Sequence, residues 1–167
     1  MGPASDPRDA YRAFGPALVR KAERILKSRA DATDVVHGLF VDLLSRPSAT
    51  VDLPYLYRAV TNRCLNVVRD EANRARLLAR EGAAIAPRAR VRCDDHVIGT
   101  QLLGRLAERL DDGHLQVLVA RFFDDMTQDE IAAQLGLSRK TVGKRLARIR
   151  GEVVALVAAV PAEGAAP

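Results

Sequence analysis

Residues 127–149 read TQDEIAAQLGLSRKTVGKRLARI, and this stretch decides the fold of the C-terminal part of the chain. Thr127 and Glu130 have the spacing of a capping box, which predicts that a helix begins here. Gly136 supplies the backbone freedom that a tight turn requires, and Ser138 can cap a second helix directly after it. Two helices joined by a short glycine turn in this register are typical of a helix-turn-helix.

The apolar residues of this stretch fall at helical spacing and predict how the two helices pack. Ile131 and Leu135 are expected to face inward, and Leu137 is expected to fill the angle between the helices. The small side chain of Ala133 is expected to let the helices cross closely. The second helix carries a buried stripe of its own, formed by Val142, Leu146, Ile149 and Val153.

The exposed residues of the second helix indicate what it binds. Six of the twelve residues from Arg139 to Arg150 are basic and none is acidic. Basic residues at the N-terminus of such a helix read guanine edges in a major groove, whereas those further along contact phosphates. The alternative is a solvated basic face, but the two caps and the glycine in register favour DNA binding. The predicted contacts are Arg139, Lys140, Thr141, Lys144, Arg145 and Arg148.

Bulk composition agrees with this interpretation and excludes several other classes. The chain has 167 residues, and 26 Lys and Arg outnumber 21 acidic residues, which gives a net charge of +5. This balance modestly favours a polyanionic partner. Two cysteines without disulfide spacing, Cys64 and Cys93, suit the reducing cytosol. We see no signal peptide and no apolar run long enough to cross a membrane, so we expect a cytoplasmic protein without membrane insertion.

Periodicity predicts an all-α chain with two small helical domains joined by a flexible linker. The first domain covers residues 7–79, with helices expected at about 7–27, 32–44 and 54–78. Asp31 is expected to cap the second of these helices, and Cys64 to lie in the core of the third.

The rest of the chain divides into a linker, a second domain and a tail. Residues 80–96 are arginine-rich, contain Gly82 and Pro87, and lack a periodic apolar face, which predicts the linker. The second domain covers residues 97–157 and contains the helix-turn-helix, and residues 158–167 are expected to be disordered. Before the helix-turn-helix, two further helices are predicted, one of which buries Leu115, Leu118 and Phe122.

Two parts of the chain together resemble the extracytoplasmic-function group of bacterial RNA polymerase sigma factors. LQVLVARFFDDMTQDEIAAQLGLSRKTVGKRLARIR, at residues 115–150, is similar to the promoter-reading domain of this group. DATDVVHGLFVDLL at residues 31–44 and YLYRAVTNRCLNVVRDEANR at residues 55–74 are similar to its polymerase-binding and promoter-melting domain. A helix-turn-helix alone is shared by many regulators, whereas these segments in this order are more specific.

The resemblance implies a sigma factor that binds core RNA polymerase, recognises promoter DNA and helps to open it to start transcription. It places the upstream (minus-35) promoter element on the recognition helix and the downstream (minus-10) element on the polar face of the third helix. An anti-sigma factor is an expected partner. The minus-10 residues that it implies are Arg58, Asn62, Arg63, Asn66 and Arg69. The polymerase-binding residues that it implies on the second helix are Asp34, His37, Val41 and Asp42.

Three other classes of protein compete with this interpretation. A stand-alone helix-turn-helix regulator is the main alternative, and it differs in binding duplex DNA tightly without polymerase. A pure interaction protein would not need the basic recognition helix. We expect no enzyme, because no catalytic triad, phosphate loop or paired-carboxylate motif is found. Cys93 and His96 form a C-x-x-H pair without a matching second pair, so we expect neither a metal nor another cofactor.

Overall fold

A computed structural model describes residues 6–45, 51–80 and 102–159 of the chain. The prediction of an all-α fold is confirmed over these ranges, and seven helices lie within them. They are α1 (Pro7–Leu26), α2 (Arg29–Leu44), α3 (Leu53–Arg80), α4 (residues 102–107), α5 (Asp112–Phe122), α6 (Gln128–Leu135) and α7 (Arg139–Ala158). The linker predicted at residues 80–96 lies outside the described residues except for its first residue, and so do Cys93, His96 and all but the first two residues of the predicted tail.

The ends of α1 and α2 follow from local backbone chemistry. Asp6 caps α1 by accepting a hydrogen bond from the Arg8 N–H, and Lys27 ends it in the left-handed region at φ 57°. The expectation that Asp31 caps α2 is wrong. Ser28 is the cap, with its hydroxyl oxygen accepting from the Asp31 N–H, so α2 begins one turn earlier than predicted. Asp31 instead places its carboxylate in the first turn, near the positive end of the helix dipole.

Helices α1, α2 and α3 pack through the apolar faces that the sequence predicts. Leu18, Ala22 and Ile25 of α1 are buried, and Cys64 is completely buried in α3. Burial raises the pKa of the Cys64 thiol to about 12, so this thiol stays protonated and behaves as a small apolar side chain. The other buried residues of α2 and α3 include Val36, Leu39, Phe40, Leu43, Leu56, Val60, Leu65 and Val68.

Helix α5 is buried around nearly its whole circumference. Val117, Leu118, Val119 and Ala120 are consecutive and all buried, although successive helical residues point about 100° apart. Helix α5 contacts α6 and α7 and also contacts α3 of the N-terminal helices. The prediction that Phe122 belongs to the buried face is wrong, since this side chain is 55% exposed. Because α5 packs against other helices on two sides, a single apolar stripe does not predict which of its residues are buried.

The N-terminal and C-terminal helices are in contact through α3. Gly104 of α4 lies so close to α3 that a Cβ on it would be 3.2 Å from the Ala72 Cβ. The buried apolar residues of both groups belong to one hydrophobic cluster. Within the described ranges, no helix is both long enough and apolar enough to span a membrane.

Candidate nucleic-acid interface

The capping box that begins α6 is confirmed in both of its hydrogen bonds. The Thr127 N–H donates to the Glu130 carboxylate at 2.7 Å, and the Glu130 N–H donates to the Thr127 hydroxyl oxygen at 3.3 Å. The first of these bonds, assisted by the Thr127 hydroxyl, lowers the pKa of Glu130 below its usual 4.5. The box therefore sets where the first helix of the motif begins.

The turn between α6 and α7 has the geometry that its glycine predicts. Gly136 has φ 64° and ψ 36°, in the left-handed region, and its N–H donates to the Ala132 carbonyl oxygen. A Cβ at this position would meet nothing within 4 Å, so glycine is required for its backbone angles and not for space. Ser138 then caps α7 by accepting from the Thr141 N–H at 3.1 Å.

The core of the helix-turn-helix agrees with the predicted stripe except at one alanine. Ile131, Val142, Leu146 and Ile149 are buried, and Val153, Leu135 and Leu137 are half-buried. The expectation that Ala133 lies at the helix crossing is wrong, because Ala133 is exposed and Ala132 is buried. Ala132 lies with Ile131 on the inward-facing side of α6. Ala133 lies about 100° further around the helix and faces solvent.

Four of the predicted minus-35 residues form the outer surface of α7: Arg139, Lys140, Lys144 and Arg148 are exposed. Arg139 lies 3.6 Å from Asp129 in a solvent-exposed pair. Lys140 and Lys144 make no ion pair with any residue that the structure describes. Thr141 is half-buried, and its hydroxyl is 2.8 Å from that of Ser138. The exposed cations of this surface are therefore available to an anionic ligand.

Two further arginines of α7 have partners within the protein. Arg145 donates from Nη1 to the Gly113 carbonyl oxygen at 3.0 Å, and a Cβ on Gly113 would lie only 2.9 Å from that nitrogen. This contact ties the middle of α7 to the start of α5. Arg148 pairs with Glu152 one turn later at 2.8 Å, and it remains 63% exposed. Arg148 is therefore accessible to a ligand, whereas Arg145 is half-buried and bonded within the protein. The sequence does not predict this difference between the two residues.

The predicted minus-10 residues lie along α3, and several of them touch the C-terminal helices. The Asn62 Oδ1 accepts from the Gln116 Nε2 at 2.5 Å, and the Arg58 carbonyl oxygen accepts from the same nitrogen at 3.3 Å. Arg69 donates from Nη2 to Asp112 at 2.5 Å and from Nε to the Ala107 carbonyl oxygen at 3.2 Å.

The remaining two residues of that set are held from within the N-terminal helices. Arg63 forms an ion pair with Asp42 of α2. The Asn66 Oδ1 accepts from the Arg69 Nη1 at 3.4 Å. All five predicted residues therefore lie on α3, but several of their side chains already form bonds within the protein.

The predicted polymerase-binding residues lie on the outer side of α2. Asp34, His37, Val41 and Asp42 are all exposed, and Val41 is 61% exposed despite being apolar. The His37 Nε2 is 2.6 Å from the Tyr11 hydroxyl oxygen. The opposite side of α2 packs into the core, so these four residues are presented together.

One charged cluster was not predicted from the sequence. Lys21 is 2% exposed and forms an ion pair with Asp124, which also accepts from Arg24 at 3.0 Å. Desolvation by burial lowers the pKa of Lys21, although Asp124 opposes this shift. A signal was available, because Lys21 follows Leu18 and precedes Ala22 on the apolar side of α1, where a lysine is out of place.

Comparisons with known proteins identify the C-terminal helices. The family model of Sigma-70, region 4 matches residues 100–153. RNA polymerase sigma factor SigF from two strains of Mycobacterium tuberculosis is 38% identical over 63 residues. These residues are 35% of this chain and 24% of each relative, so the match spans about a quarter of the relatives' length. Residues 100–153 are therefore similar to Sigma-70, region 4, and α6 and α7 form the helix-turn-helix within this match.

Proposed function

We propose that this chain is a sigma factor, which binds core RNA polymerase, recognises promoter DNA and helps to open it. The match of residues 100–153 to Sigma-70, region 4 carries the proposal. The exposed cations at the start of α7 and the similarity to a sigma factor support it. In this role the chain supplies binding surfaces and no catalytic group.

For the upstream promoter element, the proposed reader is the first turn of α7. Arg139 and Lys140 follow the Ser138 cap directly, at the end of the helix that meets base edges in a major groove. One bidentate contact from such a residue to guanine discriminates by about 1–3 kcal/mol. Lys144 and Arg148 lie further along and are assigned to phosphates, which add affinity without sequence preference. Thr141 and Arg145 complete the proposed set, with Arg145 also holding α7 against Gly113.

For the downstream element, the proposed surface is the polar side of α3. Opening DNA without ATP requires capture of what melting exposes, and a protein does this with a base pocket and a basic surface. The Asn62 amide can both donate to and accept from a base edge. Arg58, Arg63 and Arg69 are assigned to the phosphates of the single strand, and Asn66 to a polar contact beside them. Residues 45–52, of which 46–50 lie outside the described residues, are also part of this proposal.

For polymerase, the proposed docking surface is the outer side of α2, with Asp34, His37, Val41 and Asp42. An exposed Val41 among polar neighbours supports a protein partner, since an apolar side chain gains free energy when it is covered.

The finer classification is also part of the proposal. We assign the chain to the extracytoplasmic-function group because of its two-part organisation, with residues 7–79 and 97–157 as the two functional units. This group membership implies an anti-sigma factor as a partner and a cytoplasmic location.

Run-off transcription with core polymerase on genomic fragments tests the proposal. The wild-type chain is expected to co-elute with core enzyme and to enable initiation at specific promoters. Arg12→Ala is a matched control, because Arg12 is an 81% exposed arginine of α1 outside the proposed surfaces. This variant should retain full activity. Failure of the wild-type chain to bind core enzyme would falsify the proposal.

Binding of the purified chain to duplex DNA, measured without polymerase, distinguishes a sigma factor from a stand-alone regulator. A regulator shifts specific duplex DNA tightly in the absence of polymerase, whereas a sigma factor acquires its specificity with core enzyme. Tight, specific binding by the free chain would replace the proposed function with the regulator.

A further inference from the structure

Arg139, the first residue of α7, pairs with a carboxylate from the other helix of the helix-turn-helix. The Arg139 Nε lies 3.6 Å from the Asp129 Oδ1, which is an ion-pair distance just beyond that of a hydrogen bond. The side chain of Arg139 is 69% exposed and that of Asp129 is 71% exposed. The pair therefore lies on the outer side of the motif, at the end of α7 that we assign to base reading.

The backbone at Asp129 is fixed by the capping box around it. The Thr127 N–H donates to the Glu130 carboxylate at 2.7 Å, and the Glu130 N–H donates to the Thr127 hydroxyl oxygen at 3.3 Å. These bonds engage the Glu130 carboxylate, so Asp129 is the acidic residue of this turn that remains for a contact with α7. Its side chain is exposed, but it starts from a defined point of the backbone.

Helix α7 itself offers Arg139 no side-chain partner one turn away. Residues three and four apart are neighbours on a helix surface. Val142, three residues later, is completely buried, and Gly143, four residues later, has no side chain. A Cβ at Gly143 would contact the Gln128 Oε1 of α6 at 3.8 Å. The side chains beside the first turn of α7 are therefore supplied by the first turn of α6.

The pair leaves the reading end of Arg139 open. Arginine reads guanine with two N–H groups directed at O6 and N7. The closest approach of Asp129 is to Nε, the guanidinium nitrogen nearest the backbone, and not to Nη1 or Nη2. Asp129 therefore restrains the guanidinium without taking the end that a guanine would use.

The energetic value of this pair lies in the DNA complex. An exposed ion pair contributes little to folding stability. When α7 enters a groove and water is excluded, the same two charges interact more strongly. A long side chain that is already restrained also loses less conformational freedom on binding. Lys140, the next residue, makes no ion pair with any residue that the structure describes, so it lacks this restraint.

We propose that Asp129 is a positioning residue for Arg139, and that it fixes which base pair of the upstream element Arg139 reads. Asp129 itself contacts no base. As an anion close to phosphates, it lowers the general affinity for DNA while it raises the preference at one position. This inference rests on the proposed reading of DNA by α7.

Asp129→Asn tests this role in the full chain held on core polymerase. Selection from a random duplex pool defines the upstream motif, and Arg139→Ala identifies the base pair whose preference depends on Arg139. The readout is competition between the selected duplex and a duplex altered only at that base pair. Arg139→Ala should lose the whole preference, about 5- to 150-fold for one guanine contact, and Asp129→Asn should lose a several-fold part of it. Asp129→Asn should bind the altered duplex at least as tightly as the wild type does, because a negative charge near phosphates is removed.

Two further variants separate positioning from charge and from structure. Asp125→Asn makes the same charge change at an exposed residue whose φ of 55° asparagine tolerates, and it should keep the full preference. Asp129→Glu keeps the carboxylate and should restore most of the preference. A merely structural role of Asp129 would weaken binding to both duplexes alike and would leave their ratio unchanged.

The double variant Asp129→Asn with Arg139→Ala decides whether Asp129 acts through Arg139. It should show no greater loss of preference than Arg139→Ala alone. A further loss in this background, or full preference in Asp129→Asn, would overturn the inference. If the free chain selects a motif without polymerase, the proposed function is contradicted, and the same comparison on that motif still decides the role of Asp129. Selection of no motif under either condition would overturn both.

Discussion

The outer surface of α7 and the polar face of α3 are two basic helical surfaces that differ in their contacts with the rest of the chain. On α7, Lys140 and Lys144 are exposed and make no ion pair with a described residue. On α3, Asn62 and Arg69 are bonded to Gln116 and Asp112 of α5. Residue type and spacing therefore predict that a helix face is polar, but they do not predict whether another part of the chain forms bonds with it.

The largest effect is expected from breaking the core that holds α7 in place. Ile131 of α6 is completely buried in the hydrophobic core. Ile131→Ala should lower the free energy of unfolding by about 2–5 kcal/mol, because truncation leaves a cavity. Urea denaturation followed by circular dichroism measures this change. Ala133→Ser is the control, since Ala133 is exposed, and it should stay within about 0.5 kcal/mol of the wild type. Equal stability of both variants would contradict the assigned core.

The next largest effect concerns base reading by α7. Arg139→Ala and Lys140→Ala should each relax the preference at particular bases of the upstream element, by about 1–3 kcal/mol for each lost guanine contact. Selection of binding sites from a random pool, with each variant held on core polymerase, measures the preference. Arg12→Ala should select the wild-type motif. If both α7 variants also select it unchanged, the reading residues lie elsewhere.

The cap of α6 should contribute a smaller amount. Thr127→Ala removes the acceptor for the Glu130 N–H and should cost about 1 kcal/mol of stability. Thermal unfolding at neutral pH measures this loss. A variant as stable as the wild type would show that the capping box does not stabilise α6.

The capping box also predicts a pH dependence with a definite sign. Because the folded pKa of Glu130 is below 4.5, its stabilising contribution is present above pH 4.5 and is lost as the pH falls through the lowered pKa. Glu130→Gln lacks this titration, so its stability should decline less steeply than that of the wild type below pH 4.5. Parallel unfolding curves for the two chains would contradict this assignment.

Loss of base capture by α3 should have a comparable or smaller effect. Asn62→Ala removes one side-chain hydrogen-bonding group, worth about 0.5–1.5 kcal/mol, and should slow open-complex formation more than closed-complex formation. Permanganate footprinting of unpaired thymines measures the open complex. Asn73→Ala is a matched control on the same helix, outside the proposed surface. A pre-melted promoter bubble should rescue Asn62→Ala, and an unrescued defect would mean that Asn62 does not capture a base.

The smallest effect should separate Arg148 from Arg145 on α7. Arg148→Ala should weaken DNA binding evenly across sequences and reduce the salt slope by about 1, as expected for one phosphate contact. Its stability should hardly change, because the Arg148 side chain is 63% exposed and Glu152 keeps a second ion pair with Arg109 at 3.4 Å. Arg145→Ala should instead lower the stability, because it removes the bond to the Gly113 carbonyl oxygen. Equal losses of stability in the two variants would contradict this distinction.

The sequence by itself was sufficient for those features that depend on neighbours within a few residues. The capping box at Thr127 and Glu130, the left-handed Gly136 and the cap at Ser138 are all local chemistry, and all three are confirmed. The all-α class follows from helical periodicity for the same reason. A local prediction was wrong by one position in α6. The sequence analysis placed Ala133 at the helix crossing, whereas Ala132 is the buried residue.

Only the tertiary structure decided which polar residues meet across the chain. Asp124 and Lys21 are 103 positions apart, and Asn62 and Gln116 are 54 apart, so no local pattern relates the members of either pair. The two-sided burial of α5 likewise depends on α3, which packs against one side of this helix. Helix formation and capping depend on short-range bonds, whereas the availability of a surface depends on which distant helix packs against it.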